Sequence, residues 1–278
     1  MATMNSAKAV YEKPLASLDK LGEELSFYVR ALAWTPRTIR RYKKEILRLL
    51  AEVTLGSGAL AVIGGTVGVI VAMCFFTGTE VGLQGYAALN QLGTENFAAF
   101  VSAYFNTREI APLVAGIALA ATVGCGFTAQ LGAMRISEEV DALEVMAVPS
   151  LPFLVTTRII AGLIAIIPLY VVGLLSSYFA SRLVVTQFFG QSTGTYDQYF
   201  DLYLPPGDVL WSFGKVLVFA VMVILIHCYH GYTATGGPAG VGVAVGRAVR
   251  TSIVVINVVD LFLSMAIWGA TTTVRLAG

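Results

Sequence analysis

Four acidic side chains stand close together between two strongly apolar regions of the sequence. They lie in the stretch "GAMRISEEVDALEVMAVPS", residues 132–150, at positions Glu138, Glu139, Asp141 and Glu144. One arginine, Arg135, opposes these four acids, so the segment carries a net charge of −3. Acids beside the anionic inner surface of a membrane are electrostatically unfavourable. The sign of the charge is therefore explained either by a basic protein partner or by a simple solvated connector.

The spacing of apolar residues in this stretch predicts a short amphipathic helix over residues 136–147. At about 100° per residue, one narrow stripe is formed by Ile136, Val140, Leu143 and Ala147. The acids fall on the opposite side. Ser137 is predicted to cap the amino terminus of this helix, and Pro149 to follow its end. One face should then rest on the protein and the other should face water.

Residues suited to covalent, metal or nucleotide chemistry are sparse. His227 and His230 flank Cys228, which falls short of the three or four convergent ligands that a metal site needs. None of the six lysines is followed by Ser or Thr, so no Walker A motif is present. The Gly-rich run 236–246 has no lysine. We therefore expect no enzyme activity, no metal and no directly bound cofactor in this chain.

Composition indicates a membrane protein. The 278 residues are 56% hydrophobic and 13% charged, whereas soluble domains are about 25% charged. We expect no signal peptide, because the first 53 residues contain no long apolar run. The remainder, 54–278, is predicted to be an all-α transmembrane domain with five spans. These spans are approximately 55–76, 110–134, 151–181, 209–229 and 252–270.

The distribution of basic residues predicts the orientation of the spans. Of 18 Lys and Arg residues, ten lie in the first 48 positions. The predicted loops 77–107 and 183–208 contain no Lys or Arg. By the positive-inside rule, the amino terminus is cytoplasmic and the carboxyl terminus external. Within the cytoplasmic segment 1–53, the sequence "TPRTIRRYKKEILRLLAEV" predicts a basic amphipathic helix that lies in the membrane interface.

Several residues inside or beside the spans are candidates for packing or substrate contact. Small residues at Gly64 and Gly68, and at Gly236 and Gly240, are spaced for close helix packing, within one subunit or between two. The pair Arg108 and Glu109 opens the second predicted span, where a charge pair is often an anchor at the membrane boundary. Asp260 lies near the middle of the fifth span, where an acid costs about 3 kcal/mol, and is either paired or functional.

Three segments carry a resemblance to a known family. The sequence "AATVGCGFTAQLGAMRISEEVDALEVMAVPSLPFLVTTRIIA" resembles the signature of the MlaE/YrbE permease family. "NTREIAPL", residues 106–113, and "GGPAGVGVAVGRAV", residues 236–249, are similar to its other two blocks. The resemblance covers roughly residues 45–272 and is greatest to the actinobacterial subunits paired with Mce proteins. Glu139 departs from the family pattern, since many relatives have Gln there.

The resemblance implies a specific assembly. Members are permease subunits of ABC-type lipid transporters, and they pair with a second permease, which favours a heterodimer here over a homodimer. A cytosolic ATPase, which holds ATP and Mg, binds each permease. The helix after the second span is the coupling helix, which assigns ATPase docking to Ser137, Glu138, Glu139, Asp141 and Glu144. In the family, the pair matching Arg108 and Glu109 lies near the lipid cavity, and Mce-domain proteins lie on the external side.

The favoured function is therefore a permease subunit in the bacterial inner membrane that moves a lipid through a cavity at the dimer interface. Spans one, two and five are expected to line that cavity, and no nucleic-acid partner is expected. The alternative is a secondary transporter or channel for a hydrophobic solute without an ATPase. That alternative requires paired charges in several spans, and by sequence only Asp260 lies deep.

Overall fold

The computed structural model describes residue 19 and residues 21–55 and 65–269, and the regular structure in these ranges is helical. The amino-terminal arm consists of α1 (21–33), α2 (Thr35–Arg41) and α3 (Lys43–Leu55). The bundle then follows as α4 (Gly65–Asn90), α5 (Glu95–Ile136), α6 (Glu139–Val145), α7 (Leu151–Phe188), α8 (Thr193–Tyr203), α9 (Pro206–Tyr232) and α10 (Gly237–Trp268).

Five of these helices, α4, α5, α7, α9 and α10, are long and apolar enough to cross a membrane. The predicted all-α polytopic fold is thus confirmed. The helices are longer than the apolar runs that predicted them. A helix satisfies its own backbone hydrogen bonds and can therefore continue into the polar boundary of the membrane. Apolar composition marks only the part of each helix that lies in hydrocarbon.

The helix boundaries differ from the predicted spans in three places. The first predicted span, 55–76, begins at the last residue of α3 and includes residues 56–64, which lie outside the described ranges, and α4 continues to Asn90 rather than ending at Phe76. The second was predicted to open at Ile110, but α5 begins at Glu95. The basic residues of the predicted last cytoplasmic loop, Arg247 and Arg250, lie on α10 itself.

One end of the bundle gathers the amino-terminal arm, α6 and the turn between α9 and α10. The ring of Phe27 on α1 lies 5.4 Å from that of Tyr229 and 5.6 Å from that of Tyr232, both near the end of α9. The hydroxyl of Thr156, at the start of α7, donates to the carbonyl of Ala31 at 2.9 Å. The three regions predicted to share the cytoplasmic side therefore share one end of the molecule.

The opposite end is rich in aromatic side chains. The helix α8, with the sequence "TGTYDQYFDLY", carries four of these aromatic residues. Its Tyr199 lies 5.2 Å from Phe97 of α5, measured between ring centroids. Tyr86 of α4 stacks on Phe189 at 4.1 Å. Aromatic rings at one level across several helices are typical of a membrane–water boundary.

Helices α4 and α7 pack closely because small residues face each other. A Cβ atom added to Gly78 would lie 2.4 Å from the backbone oxygen of Ser177, which leaves no room for a side chain. The hydroxyl of Ser181 donates to the Gly78 carbonyl at 2.6 Å, and the amide of Asn106 on α5 donates to the same hydroxyl at 2.9 Å. Small residues thus allow three helices to be joined by polar contacts.

The glycines predicted to mediate packing have different positions. Gly64 lies outside the described residues, and Gly68 is half-buried on α4. Gly236 precedes α10 with a φ of 89°, a left-handed conformation that favours glycine. A Cβ atom on Gly240 would lie 1.8 Å from the carbonyl oxygen of Thr235. Both residues therefore shape the tight turn between α9 and α10.

Replacing Gly78 with alanine should destabilise the bundle. The added methyl group must push α4 away from the backbone of α7, and overpacking of this kind costs about 1–3 kcal/mol. We expect a clear fall in the apparent Tm of the purified protein, measured with a thiol-reactive dye that reports exposure of the buried Cys74 and Cys228. The control is Gly214→Ala, whose Cβ meets nothing within 4 Å. An equal Tm for the two variants would contradict the packing argument.

Candidate functional site

The helix that was predicted to dock a partner is present but short. It spans Glu139–Val145, seven residues, instead of 136–147. Of the predicted apolar stripe, Val140 is buried and Leu143 is half-buried against the core. Ile136 belongs to the end of α5, and Ala147 has a φ of 58° and lies beyond α6. About two turns of helix therefore rest on the bundle through two side chains.

The prediction that Ser137 caps this helix is wrong. Its hydroxyl donates instead to the carbonyl of Ala133 at 3.0 Å, which satisfies the end of α5, and to the carboxylate of Glu139 at 3.0 Å. Glu138 occupies the capping position with a left-handed φ of 61° and makes no side-chain cap. The hydroxyl of a serine between two helices can bond backward, to a carbonyl of the preceding helix, as readily as forward, to a backbone N–H of the next one. Here the sharp break between α5 and α6 selects the backward bond.

The four acids of α6 are exposed but differ in their partners. Asp141 forms an ion pair with Arg135 at 2.7 Å, and Glu144 accepts a hydrogen bond from Ser150 at 2.7 Å. The carboxylates of Glu138 and Glu139 have no cationic partner among the described residues. Two apolar side chains beside them are also exposed, Val145 at 88% and Met146 at 64%. Together these side chains form an outward surface of acids and hydrophobes.

Glu144 also connects α6 to the rest of the bundle. The Ser150 hydroxyl that donates to it lies 2.7 Å from the hydroxyl of Tyr232, at the end of α9. The ring of Tyr232 in turn contacts Phe27 of α1. A continuous chain of contacts therefore runs from α6 through buried Ser150 to α9 and to the amino-terminal arm.

A cluster of charged side chains joins three spans at the other end of the bundle. We call Arg108, Glu109, Asp208, Lys215 and Asp260 the charged cluster. The ammonium group of Lys215 on α9 is fully buried. Its Nζ lies 2.7 Å from Oδ1 of Asp260 on α10 and 3.3 Å from Oε2 of Glu109 on α5. Asp260 is thus paired with a neighbouring helix, while nearby Asn257 donates to a backbone carbonyl of its own helix.

The Lys215 ammonium also donates two hydrogen bonds to neutral groups. One goes to the hydroxyl of Ser264 at 2.8 Å, and that hydroxyl donates to Glu109 at 2.8 Å. The other goes to the carbonyl of Arg108 at 2.7 Å. In an α-helix this carbonyl would bond the N–H four residues on, but Pro112 has no N–H to donate. Pro112 therefore leaves the carbonyl oxygen of Arg108 available as an acceptor for the buried Lys215 ammonium group.

Arg108 forms the outer part of the charged cluster. Its guanidinium pairs with Asp208, at the start of α9, at 2.6 Å and lies 4.0 Å from the ring centroid of Tyr104. Asp208 also accepts a hydrogen bond from the indole N–H of Trp268 at 2.9 Å. Arg108 and Glu109 therefore do not open a span but lie inside α5, on a π-helical turn from Asn106 to Ile110. Such turns are frequent at functional sites.

Sequence reasoning missed Lys215, and it missed Asp208 as the partner of Arg108. A lysine within an apolar run of a membrane helix is itself a signal, because an unpaired charge there is costly. Lys215 is the one lysine that lies beyond Lys44 in the chain, inside the fourth predicted span. Its carboxylate partners were recognised separately, but only the fold brings them together. With two cations and three carboxylates, the charged cluster has one negative charge in excess.

A cavity of about 500 Å³ opens between α3, α4, α5 and α10. Its walls are largely apolar and small, with residues such as Val69, Ala121 and Phe127. Gln130 and Glu52 line one side and are hydrogen-bonded to each other. Buried Arg158 donates to the same glutamine at 3.2 Å, so the amide is held from both sides. Cys125 also lines this cavity and is partly accessible, unlike Cys74 and Cys228.

Comparisons with known proteins agree on one family. The sequence profile described as Permease MlaE matches residues 56–266. A "Probable ABC transporter permease protein" of Rickettsia bellii is 29% identical over 253 residues, 91% of this chain and 94% of that protein. The "Intermembrane phospholipid transport system permease protein MlaE" of Haemophilus influenzae is 28% identical over 203 residues, 73% of this chain and 78% of that protein.

A plant protein shows the same similarity. "Protein TRIGALACTOSYLDIACYLGLYCEROL 1, chloroplastic" of Arabidopsis thaliana is 32% identical over 200 residues, which cover 69% of this chain and 56% of that protein. The profile match includes all five long apolar helices except the very end of α10. An all-helical membrane bundle, the family profile and the named relatives lead to one conclusion: this chain belongs to the MlaE permease family and is an inner-membrane ABC transporter permease.

Proposed function

We propose that this permease moves a hydrophobic lipid between the inner membrane and an external Mce assembly, driven by a separate cytosolic ATPase. The observation that carries the proposal is the outward surface of α6. Val145 and Met146 are largely exposed at a polar end of the protein, beside the unpaired acids Glu138 and Glu139. Exposed hydrophobes next to charges are typical of a protein-binding surface. A basic, partly apolar cleft of an ATPase is complementary to it.

The lipid path is proposed to pass through the cavity between α3, α4, α5 and α10. Three of these helices are the first, second and fifth spans, which are the ones expected to line a cavity at a permease dimer interface. Helices α10 and α4 are also the spans with the smallest buried fraction within this chain. Their free faces carry large apolar side chains such as Phe76 and Phe262. A second permease, paralogous or identical, is proposed to cover them.

The charged cluster supports a second candidate function. A secondary transporter was expected to need paired charges in several spans, and Glu109, Lys215 and Asp260 pair across three. Family membership favours the ABC permease, because the relatives are named as such. We therefore assign the charged cluster a gating role, in which it joins α5, α9 and α10 in one state and separates in the other. Co-purification of an ATPase separates the two functions.

The remaining partners follow from the two ends of the bundle. We propose that the arm, α6 and the α9–α10 turn lie in the cytoplasm, with the amino terminus cytoplasmic and the carboxyl terminus external, as the positive-inside rule predicts. The aromatic α8 then faces outward and is proposed as the contact for Mce-domain proteins. ATP and Mg are held by the ATPase, and this chain contributes no catalytic residue.

Reversing the charge of the unpaired acids should release the ATPase. The variant is Glu138→Lys/Glu139→Lys, which removes two docking charges without touching the Arg135–Asp141 pair or the Glu144–Ser150 bond. We expect at least a tenfold loss of ATPase in affinity purification from mild detergent, quantified by mass spectrometry, with the paired permease retained. The matched control is Glu80→Lys/Asp201→Lys, two exposed acids elsewhere. An ATPase that stays bound to the first variant contradicts the docking surface.

Cys125 should report whether lipid occupies the cavity. Because Cys74 and Cys228 are buried, a maleimide should label Cys125 first in the folded protein, and Cys125→Ser should remove this fast phase. A short-chain phospholipid added in excess should slow the labelling several-fold. The control places the thiol away from the cavity, as Gly214→Cys in the Cys125→Ser protein. Equal protection at both positions would show that the lipid acts through the micelle and not through the cavity.

Removing the buried ammonium group of Lys215 alone should destabilise the bundle more than removing it together with the charges of Glu109 and Asp260. Lys215→Met leaves Glu109 and Asp260 without a cation, and breaking a buried pair costs about 3–5 kcal/mol. Adding Glu109→Gln and Asp260→Asn should restore much of the Tm. If the charged cluster is a gate, the restored triple variant stays inactive in a lipid-transfer assay with ATPase bound. Full transport by this variant would reduce the charged cluster to a structural role.

A further inference from the structure

We propose that the amino-terminal arm contains a binding site for a phosphate anion, most readily supplied by a phospholipid headgroup. The site is a cavity of about 290 Å³ between the arm and the segment that follows α6. We call it the arginine pocket. Its lining residues are Trp34, Arg37, Thr38, Arg40, Arg41 and Tyr42 on the arm, and Pro149 and Pro152 on the opposite wall.

The local sequence explains how the arginines come together. Pro36 lies in the first turn of α2, and Arg37, Arg40 and Arg41 follow at positions i, i+3 and i+4, which share one face of a helix. The helix then ends at Tyr42, whose N–H donates to the carbonyl of Thr38 at 2.9 Å. The break between α2 and α3 therefore turns the arginine face toward Pro149 and Pro152.

The opposite wall fixes the pocket to the bundle. The ring of Tyr42 packs edge-on against Phe153, at the start of α7, with 5.3 Å between centroids. On α3, Ile46 and Leu49 are buried against Ile160 and Ala161 of α7. The arm thus cannot move away from Pro149 without breaking apolar contacts. An anion in the arginine pocket would touch both the arm and the residues that connect α6 to α7.

The three guanidinium groups carry uncompensated charge. Within the part of the chain that the structure describes, no carboxylate lies within 4 Å of Arg37, Arg40 or Arg41, whereas Arg48 on the next helix pairs with Glu45 at 2.6 Å. Like charges at such helical spacing repel one another. Three such charges around one concave space attract an anion into it.

Aromatic rings hold two of these groups in place. The guanidinium carbon of Arg37 lies 5.3 Å from the ring centroid of Trp34, and that of Arg41 lies 5.7 Å from Tyr42. Contact with a ring uses the flat face of a guanidinium and leaves its N–H edges available. Forked N–H edges are the groups that bind phosphate oxygens in pairs.

Two hydroxyl groups in the same wall lack hydrogen-bond partners. Thr38, only 1% exposed, lines the arginine pocket, and its Oγ1 has no partner among the described residues. The same holds for the hydroxyl of Tyr42. Buried polar groups in folded proteins are nearly always paired. A phosphate, with several acceptor oxygens, can satisfy these hydroxyls together with the arginines.

A phosphate fits this chemistry better than a single carboxylate, because three cations and two hydroxyls offer more donors than two oxygens can use. The arm belongs to a membrane protein and packs on the start of a span, so a lipid headgroup is the nearest source. Inorganic phosphate shares the chemistry. The two sources differ in whether acyl chains are needed for binding.

Ligand-induced thermal stabilisation of the full-length protein in mild detergent tests the proposal. The probes are dioctanoyl phosphatidylglycerol, dioctanoylglycerol, which lacks the phosphate, and inorganic phosphate at constant ionic strength. The pocket variant is Arg37→Gln/Arg40→Gln/Arg41→Gln. The matched control removes three positive charges from exposed positions on α3, outside the arginine pocket, as Lys43→Gln/Lys44→Gln/Arg48→Gln.

We expect phosphatidylglycerol to raise the Tm of the wild type and of the control by several degrees, and dioctanoylglycerol to leave it unchanged. The pocket variant should lose this shift and keep its basal Tm, because the replaced side chains are exposed. A shift with inorganic phosphate as well identifies the anion itself as sufficient; a shift with the lipid alone identifies the headgroup in its lipid.

Three results would overturn the proposal. Equal loss of the Tm shift in the pocket variant and the control would show that the lipid binds through the total positive charge of the arm and not at a defined site. An equal shift with dioctanoylglycerol would show that the acyl chains alone stabilise the protein. A third variant, Arg37→Lys/Arg40→Lys/Arg41→Lys, keeps the charge but loses the forked donors. An undiminished shift in this variant would likewise exclude the arginine pocket.

Discussion

A buried ammonium group sets the arrangement of three of the five spans. Lys215 has no contact with solvent, so its charge must be met within the protein. Asp260 and Glu109 supply carboxylates from two other helices, and Ser264 and the Arg108 carbonyl supply further acceptors. No single helix can provide these groups. Helices α5, α9 and α10 must therefore meet at this point, and any motion that separates them must provide a new partner for the lysine.

The same turn of α5 binds the other side of the bundle. Within the π-helical turn Asn106–Ile110, Asn106 donates to Ser181 of α7, and the hydroxyl of Thr107 bonds that of Tyr178 on the same helix. The next two residues belong to the charged cluster. Four consecutive residues thus join the tightly packed α4–α7 pair to the α9–α10 pair. A conformational change at this turn would therefore affect both the α4–α7 pair and the α9–α10 pair.

The opposite end of the bundle combines the proposed docking surface of α6 with the proposed anion site of the arm. The acids and exposed hydrophobes of α6 point outward, and the basic arm lies beside them, fixed to α7. Ser150 and Tyr232 link α6 to α9, and Pro149 separates α6 from the arginine pocket. An ATPase bound to α6 and an anion bound in the arginine pocket would therefore both act on the segment around Pro149 and Ser150 that connects α6 to α7. The two signs of charge are kept apart by their position on different helices.

The sequence by itself determined the helical membrane class, the number of spans and the permease family, because apolar runs and long motifs are local properties. It also located the acidic α6 and the deep Asp260. It placed the ends of the spans poorly, since helices such as α4 and α5 continue beyond their apolar parts. Only the tertiary structure decided which charges are paired, that Ser137 bonds backward, and that Arg37, Arg40 and Arg41 face Pro149. Lys215 meets Glu109 across 106 positions of sequence, and contacts at such distances depend on how the helices pack, which no local pattern records.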